Sequence, residues 1–144
     1  MRTSLRLLSA VFLAVPAALT AAGPVVPEGA KPQLIQDGFK FTEGPALAPD
    51  GRIYFSDIPN NAQMRWDEAT GRVSVLRATS NFSNGNTFDN QGRQIAFCHG
   101  TRNVIRYEHS GKVTVLADKA GGKEFNAPND GMVHPDGWMF FTDP

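Results

Sequence analysis

Three oxygen-bearing side chains recur at the same distance before a turn glycine. Each stands eight residues before its glycine, in the pairs Glu43 and Gly51, Asn84 and Gly92, and Asn129 and Gly137. Carboxylate and amide oxygens are the ligands that a hard divalent cation such as Ca²⁺ or Mg²⁺ prefers. A bound cation polarises a carbonyl group and holds a water molecule for attack, while a general base takes up the proton. The recurrence therefore indicates a ring of polar groups of the type that binds a hard divalent cation.

The stretches that carry these residues repeat along the chain. The three turn glycines lie 41 and then 45 residues apart. Trp66 lies 41 residues before Tyr107, and Gly71 lies 40 residues before Gly111. Repeats of this length are the sequence signature of propellers and solenoids. Equivalent positions of successive repeats lie around one axis, so we expect the three polar side chains at one height.

Runs of β-favouring residues between turn residues predict the strands of these repeats. The first repeat has strands at 46–48, 52–58, 63–67 and 72–77, the second has strands that begin at 87 and cover 94–98, 103–107 and 112–117, and a third repeat covers 129–142. A further strand is predicted at 33–41. Four antiparallel strands form one blade of a propeller. The predicted fold class is therefore all-β, a propeller with two complete blades and half of a third.

The beginning of the sequence has the composition of a secretory signal peptide. Arg2 and Arg6 flank a basic start, and an apolar run at 7–19 follows, with small residues after it. This order of features is typical of a cleaved leader. We therefore expect residues 1–22 to be removed on export, which places the mature protein in the periplasm or outside a bacterial cell.

Composition limits what the remaining chain does. Residues 23–32 are rich in Pro, Gly and Ala and predict a linker, and 33–144 form the propeller domain. Without the leader, the 14 Lys and Arg residues fall to 12, against 14 Asp and Glu. This balance argues against a nucleic-acid footprint and a polybasic membrane surface. Cys98 is the single cysteine, so an intrachain disulfide and a cysteine-rich zinc site are excluded within this sequence.

Several short motifs, taken in order, resemble the family of senescence marker protein (regucalcin) and gluconolactonase. The motifs are Phe-Thr-Glu-Gly-Pro at 41–45, Ile-Tyr-Phe-Ser-Asp-Ile-Pro at 53–59, Arg-Trp-Asp at 65–67, Ser-Asn-Gly at 83–85, His-Gly at 99–100, Asn-Ala-Pro-Asn-Asp at 126–130 and Phe-Thr-Asp-Pro at 141–144. The resemblance runs from about residue 34 to the end of the sequence. It implies a six-bladed propeller, of which about two and a half N-terminal blades are present. It also implies hydrolysis of a small sugar lactone with one divalent cation in the central channel.

The resemblance also implies roles for single residues. Glu43 falls on the family's metal-binding Glu, and Asn129 falls on an Asn that faces the substrate and the metal-bound water. These two are the expected metal ligands of this chain. Asn84 shares the register of Asn129, and His99 ends a strand next to Gly100, so these positions, and not the resemblance, lead us to expect that both contact the substrate with Asn129. A further Asn and an Asp, the latter also the general base, are expected beyond Pro144. Ca²⁺ is the expected cation, with Zn²⁺, Mg²⁺ and Mn²⁺ as alternatives.

Two positions depart from the pattern of some family members. Ala127 stands where they place a substrate-binding Arg, and Cys98-His99 stands where many have Cys-Glu-His. Both differences concern the substrate rather than the fold. The expected partner is a small-molecule sugar lactone, with no nucleic acid and, after signal cleavage, no membrane. The oligomeric state is left open.

Other polar residues at matched positions have structural interpretations. Asp57 and Asp143 end equivalent strands, and we expect them to satisfy backbone groups of a neighbouring blade. Cys98 is expected to be a small buried apolar residue, because no partner that would lower its pKa is identifiable. His109 and His134 lie in turns and are expected in solvent. The candidate site residues themselves have the alternative of filling turns.

Two other classes of function remain open on the sequence. A propeller that binds a ligand or a protein without catalysis shares the fold, and so does a calcium-dependent propeller hydrolase of the paraoxonase or strictosidine-synthase type. The Glu-Gly-Pro and Asn-Asp-Gly motifs favour the gluconolactonase interpretation over both. Because two and a half blades leave sheet edges unprotected, we expect either a longer protein or, as the alternative, an assembly of half-propellers.

Overall fold

The computed structural model describes residues 23–144, which form antiparallel β-sheets. The strands are β1 (Thr42–Leu47), β2 (Ile53–Asp57), β3 (Ala62–Asp67), β4 (Arg72–Arg77), β5 (Ser83–Phe88), β6 (Gln94–Cys98), β7 (Asn103–Tyr107), β8 (Val113–Ala117), β9 (Lys119–Ala120), β10 (Lys123–Glu124), β11 (Gly131–Val133) and β12 (Met139–Phe141). A three-residue 3₁₀ turn covers Ile58–Asn60. In residues 23–144 we find no helix with the length and apolar character needed to cross a membrane. The signal peptide predicted at 1–22 lies outside the described residues and stays a prediction.

The chain divides into two units, Met1–Gln33 and Leu34–Pro144. The described part of the first unit, residues 23–33, contains turns and bends but no strand. The predicted linker at 23–32 lies in this unit. All strands of the described chain lie in the second unit, which therefore carries the candidate site.

The second unit contains two complete blades and the inner hairpin of a third. The strand orders are β1-β2-β3-β4, β5-β6-β7-β8 and β11-β12, with each strand antiparallel to the next. The turn after each innermost strand contains a glycine with left-handed backbone, namely Gly51 (φ 81°), Gly92 (φ 74°) and Gly137 (φ 91°). Glycine adopts this conformation without the steric cost that a Cβ imposes. The predicted all-β propeller of two and a half blades is confirmed.

The predicted strand boundaries are accurate except in the innermost strands. The bounds of β4, β6 and β7 are those predicted, whereas β1 and β5 begin at Thr42 and Ser83, four residues earlier than predicted. In both innermost strands a β-bulge follows, between Glu43 and Ala46 in β1 and between Ser83 and Asn86 in β5. A bulge puts two residues opposite one and breaks the alternation by which a strand is recognised.

The strand predicted at 33–41 is wrong, because no regular element covers this segment. The backbone N–H groups of Lys40 and Phe41 donate to the Asp57 carboxylate at 3.2 and 3.1 Å. A side chain, and not a neighbouring strand, satisfies these donors. The segment therefore enters blade 1 without joining its sheet.

Asp143 repeats the role of Asp57 in the third blade. Its carboxylate accepts hydrogen bonds from the backbone N–H groups of Asn126 and Ala127 at 2.8 and 2.6 Å. Both aspartates were expected to bind a neighbouring blade, and this detail is wrong. The second strand of a blade ends beside the segment that enters the first strand, so the carboxylate reaches its own blade's entry first.

In blade 2 the entering segment is bound by residues other than an aspartate. Cys98 occupies the position equivalent to Asp57, is fully buried as predicted, and its thiol donates to the Ser80 carbonyl oxygen at 3.7 Å. The segment entering blade 2 is bound by Asn61 of blade 1. The Asn61 side-chain oxygen accepts from the backbone N–H groups of Ser80 and Phe82 at 3.1 and 2.8 Å.

The residue equivalent to Asn61 in blade 2 is Arg102. Both adopt left-handed backbone conformations, with φ of 53° and 52°. The Arg102 guanidinium donates to the carbonyl oxygen of Phe125, in the segment that leads into the third blade. In blades 1 and 2 the turn between the second and third strands therefore binds the segment that enters the next blade.

One small element was not predicted from the sequence. Strands β9 and β10 pair as a hairpin around Gly121 and Gly122, whose φ angles are 58° and 80°. Two consecutive residues with positive φ match the type I′ turn that such hairpins favour. The Gly-Gly pair is the signal that identifies the hairpin in the sequence.

The contact between blade 2 and the third hairpin is apolar. Phe97 is fully buried and packs with Ile95 and Val104 against residues of β8, β11 and β12. Its ring stacks on Phe141 with centroids 5.8 Å apart, and Phe125 meets Phe141 edge-on at 5.2 Å. Burial of these rings stabilises the contact between blade 2 and the third hairpin.

The contact between blades 1 and 2 is polar by comparison. Its buried side chains include Ser56, Gln63, Ser83, Asn86 and Gln94, each exposed by 6% or less. They hydrogen-bond to one another across the interface. Because a buried polar group is costly without a partner, this network fixes the two blades in one register.

Replacing Phe97 by Ala tests the apolar contact. Removing a fully buried aromatic side chain leaves a cavity, so the free energy of unfolding should fall by about 3–5 kcal/mol. Urea denaturation of the protein expressed from its complete coding sequence measures this change. Val113→Ala, at a position nearly half exposed, is the matched control. Equal losses for the two variants would contradict the packing described here.

The thiol of Cys98 should be unreactive in the folded protein. Burial raises its pKa to about 12, so the neutral form, which is a poor nucleophile, predominates at pH 8. Iodoacetamide at pH 8 should leave the Cys98 peptide unmodified in native protein and modify it in urea. Mass spectrometry of the digested protein distinguishes the two. Equal modification of Cys98 in both states would show that the thiol is accessible.

Candidate functional site

The innermost strands of the three blades converge at two glycines. A Cβ atom on Gly44 of β1 would lie 2.6 Å from the Cα of Gly85 in β5. A Cβ atom on Gly85 would lie 2.7 Å from the carbonyl oxygen of Asn129. That oxygen accepts the backbone N–H of Gly85 at 2.7 Å. Backbone lies directly against backbone from one blade to the next, so neither position accommodates a residue larger than glycine.

This convergence places the three repeated polar residues side by side. Glu43 and Asn84 directly precede the two glycines, and Asn129 supplies the carbonyl contact itself. Glu43 precedes the bulge of β1, Asn84 lies in the bulge of β5, and Asn129 precedes β11, so all three lie at the same end of adjacent innermost segments. The backbone at these positions follows the repeat, and a ring formed by the side chains stays a prediction.

The Glu43 carboxylate is half-buried, and few groups of the protein compensate its negative charge. Its Oε2 atom accepts the N–H of the next residue, Gly44, at 3.3 Å. Within residues 23–144 no Lys, Arg or His forms an ion pair with it. Such a carboxylate is free to bind a ligand of positive charge.

Asn129 is half-buried, and its backbone is fully used. Its N–H donates to the Thr142 carbonyl oxygen at 2.8 Å, and its carbonyl accepts from Gly85. Its side-chain amide has no hydrogen bond within the described part of the chain. The backbone therefore holds Asn129 in place while the amide stays available.

Asn84 and His99, two predicted substrate contacts, touch each other. The Asn84 Nδ2 and His99 Nε2 atoms are 3.3 Å apart, and the Asn84 side chain is buried. With the proton of the neutral imidazole on Nδ1, Nε2 accepts the hydrogen bond from the amide. His99 then orients Asn84, whose Oδ1 atom accepts no hydrogen bond within residues 23–144.

The remaining histidines lie away from this group. His109 and His134 are exposed, as predicted. The His109 ring contacts the carbonyl oxygen of Gln91 at 3.0 Å, and the His134 ring lies 3.3 Å from the Asp136 carboxylate. Both belong to the turn-glycine ends of their blades.

Ion pairs concentrate at the turn-glycine end, opposite to Glu43 along the strands. Arg52 binds Asp67 at 2.8 Å and lowers the pKa of that carboxyl. Arg106 binds Glu108 at 2.8 Å and likewise lowers its pKa. The members of these partly exposed pairs neutralise one another, and Glu43 lies at the opposite end of the strands.

Asn86 is a buried residue of the site region that the sequence did not single out. It follows Asn84 by two residues in β5, and its side chain reaches the carbonyl oxygen of Gly44 at 2.9 Å. The sequence signal is the pair of asparagines around Gly85, together with Gln94 at the start of the otherwise apolar strand β6. The hydrogen bonds of Asn86 to Gly44 and Gln63 of blade 1 form only when blade 1 packs on blade 2.

A cavity of about 300 Å³ adjoins Glu43 on the other face of blade 1. Phe39, Phe55 and Trp66 line it with other apolar residues. Phe55 alternates with Tyr54 and Ser56, whose side chains contact blade 2. The buried Trp66 Nε1 atom has no hydrogen-bond partner within residues 23–144. This face of blade 1 is therefore mainly apolar, and it contains an unsatisfied hydrogen-bond donor in the same region as Glu43, the candidate metal ligand.

The donor atoms of the site suit a hard cation. Glu43, Asn84 and Asn129 present carboxylate and amide oxygens, the ligands typical of Ca²⁺ and Mg²⁺. In residues 23–144 no three His, Cys, Asp or Glu side chains are grouped so that they alone could bind a metal. Glu43 and Asn129 fit as part of a ligand shell, and their role as ligands stays a prediction.

Comparison with known proteins gives three informative similarities. The chain is 27% identical over 126 residues to a gluconolactonase of Zymomonas mobilis, covering 78% of this chain and 35% of that protein. A solved gluconolactonase from Xanthomonas campestris aligns with a TM-score of 0.70 and 37% identity, covering 76% of this chain and 37% of that one. A structural-genomics structure provisionally named a gluconolactonase aligns with a TM-score of 0.76 and 37% identity, covering 83% and 41%.

The chain spans between 35% and 41% of the length of these relatives. Their alignment with the present fold agrees with two blades and the start of a third in a propeller. Residues 41–144, which are most of the chain and include every strand found in residues 23–144, match the family described as the SMP-30/Gluconolactonase/LRE-like region. The chain therefore belongs to the SMP-30/gluconolactonase/LRE-like family.

Proposed function

We propose that the protein carrying this chain hydrolyses a small sugar lactone at the converging ends of its innermost strands. The observation that supports this most directly is the series of contacts from Gly44 to Gly85 and from Gly85 to Asn129, which brings Glu43 beside Asn84 and Asn84 beside Asn129 along the chain of innermost segments. Relatives named as gluconolactonases align over this same region. A lactone offers a polarisable ring carbonyl and several hydroxyl groups to such a set of oxygens and amides.

One divalent cation is part of the proposal, with Glu43 and Asn129 among its ligands and Ca²⁺ as the expected ion. When bound, the cation supplies Lewis-acid polarisation and lowers the pKa of a water molecule. Glu43 contributes the negative charge that attracts it. Oxygen ligands on backbone-fixed strands give the short, defined distances that such a cation needs. The remaining ligands and the general base, an Asp, are expected beyond Pro144.

The amide side chains would bind the substrate. Asn84, oriented by His99, presents an acceptor, and Asn129 presents both an acceptor and a donor for sugar hydroxyls. Ala127, half-buried beside them, adds no charged group. We therefore expect an uncharged sugar lactone rather than one that carries a phosphate or carboxylate.

Export is the second part of the proposal. The apolar run after Arg2 and Arg6 supports cleavage of residues 1–22 and release into the periplasm or the medium. Ca²⁺ is more abundant there than in cytosol, which agrees with Ca²⁺ as the expected ion. N-terminal sequencing of the mature protein checks the cleavage.

Glu43→Gln should abolish most of the activity. The substitution keeps the size of the side chain and removes its charge, so cation binding and lactone hydrolysis should fall about 100-fold or more. Acid release from δ-gluconolactone, above the spontaneous rate and with or without a chelator, measures the effect on the full-length protein. Glu68→Gln, in an exposed turn, is the control. Full activity of Glu43→Gln, or of chelated wild-type protein, would refute the metal-dependent mechanism.

Asn84→Ala should weaken substrate binding more than it affects the folded structure. Loss of one oriented hydrogen bond to a sugar hydroxyl corresponds to about a tenfold increase in KM. Asn90→Ala, in an exposed turn of the same blade, should leave KM unchanged. Steady-state kinetics on both variants compare the two positions. An unchanged KM for Asn84→Ala would exclude this residue from the substrate site.

A further inference from the structure

A buried chain of side-chain amides connects blades 1 and 2 beside the candidate site. At its centre is Asn86, which is 5% exposed. Its Oδ1 atom accepts hydrogen bonds from Gln63 Nε2 at 2.9 Å and Gln94 Nε2 at 3.0 Å. Gln63 belongs to blade 1 and Gln94 to blade 2, so the two blades share one acceptor.

Arg77 determines the direction of these hydrogen bonds. Its Nη1 atom donates to the Oε1 atoms of Gln63 and Gln94, both at 2.7 Å. A guanidinium has only donors, so both glutamines must turn their oxygens toward Arg77 and their NH₂ groups toward Asn86. Amide orientations are ordinarily ambiguous, but here the cation fixes them. Asn86 Oδ1 must accept, and Asn86 Nδ2 must donate on its other side.

The donor side of Asn86 reaches the site. Its Nδ2 atom donates to the carbonyl oxygen of Gly44 at 2.9 Å and to Ser56 Oγ at 3.0 Å. The N–H of the same Gly44 faces the Glu43 carboxylate. Asn86 therefore holds the residue next to Glu43 while lying two residues after Asn84 in its own strand.

Regular strand pairing holds neither Gly44 nor Asn84, so pairing alone does not fix the placement of Glu43 relative to Asn84. The bulge after Glu43 removes Gly44 from the regular pairing of β1 with β2, and the bulge in β5 does the same for Asn84. A bulged residue has lost its ladder partner. The Gly44 carbonyl therefore depends on a side chain from the next blade for its hydrogen bond.

We propose that Asn86 is a positioning residue for the cation site, one that sets the placement of Glu43 relative to Asn84. This inference rests on the proposed function, since it assumes that Glu43 binds a divalent cation. Asn86 acts through the Gly44 peptide and does not touch the cation or the substrate. Arg77, Gln63 and Gln94 keep its amide turned toward Gly44.

A purely structural role for Asn86 predicts a different result. If the network only joined the blades, its loss would lower stability and leave the affinity for a cation unchanged in protein that remains folded. If Asn86 positions Glu43, the affinity falls as well. Cation affinity and thermal stability of the metal-free protein must therefore be measured on the same samples.

The test uses Asn86→Leu in the full-length protein after removal of metal. Leucine has a similar volume, carries no charge and cannot donate to Gly44. Calorimetric titration with Ca²⁺ should give a dissociation constant about tenfold higher than for wild type or more, the range seen when a group that orients a ligand is removed. Gln94→Leu, which removes one of the two donors to Asn86, should give a smaller rise and serves if the first variant does not fold.

The matched control is Val104→Ala. Val104 is fully buried on the opposite face of blade 2, so its truncation lowers stability without touching Gly44. Its dissociation constant for Ca²⁺ should stay within about twofold of wild type, because no ligand or orienting group changes.

The outcomes separate the inference from the proposed function. Weaker Ca²⁺ binding by the Asn86 or Gln94 variant, with Val104→Ala unaffected, supports the positioning role. Wild-type affinity in both network variants overturns it and leaves the proposed function intact. An equal loss in Val104→Ala also overturns it, since general destabilisation would then account for the effect. Wild-type protein that binds no divalent cation refutes the metal-dependent function and this inference with it.

Discussion

Direct backbone contact between adjacent innermost strands is the constraint on which the candidate site depends. Glycine at positions 44 and 85 lets one strand touch the next, at separations that any Cβ would prevent. The polar residues that precede these glycines are brought together as a result. The site is thus built from the strands themselves and not from long loops. These close backbone contacts fix the positions of the residues that carry the candidate site, as a functional site requires.

The two contacts between blades use opposite kinds of interaction. Blade 2 meets the third hairpin through stacked aromatic rings, whose packing tolerates small shifts. Blade 1 meets blade 2 through a hydrogen-bonded network in which each donor has a defined acceptor. A buried network of this kind permits one register only, because any slip leaves polar groups unsatisfied. The stricter of the two contacts is the one that lies beside Glu43.

Much of this arrangement follows from the sequence, and the failures have physical causes. The spacing of Gly51, Gly92 and Gly137 predicts the blades because each turn needs a residue with positive φ. The innermost strands were predicted too short because bulges interrupt their alternation. The segment at 33–41 looks like a strand but is bound by a carboxylate. Asn86 was overlooked because its partners come from residues 8 to 42 positions away, and such contacts have no local signature.

Blade 2 has Cys98 at the position where blades 1 and 3 have an aspartate, and this difference has a consequence for the order of folding. Blades 1 and 3 bind their entering segments with their own aspartates, whereas blade 2 relies on Asn61 of the blade before it. Residues of blade 2 itself also bind this entering segment, since Cys98, His99 and Gly100 donate to the backbone carbonyl oxygens of Ser80, Phe82 and Asn81. Asn61 adds hydrogen bonds that only blade 1 supplies, and Arg102 makes the corresponding contact with the segment that leads into the third blade. On a ribosome that delivers the N-terminal blade first, the residues that bind each entering segment from the preceding blade are therefore synthesised before that segment.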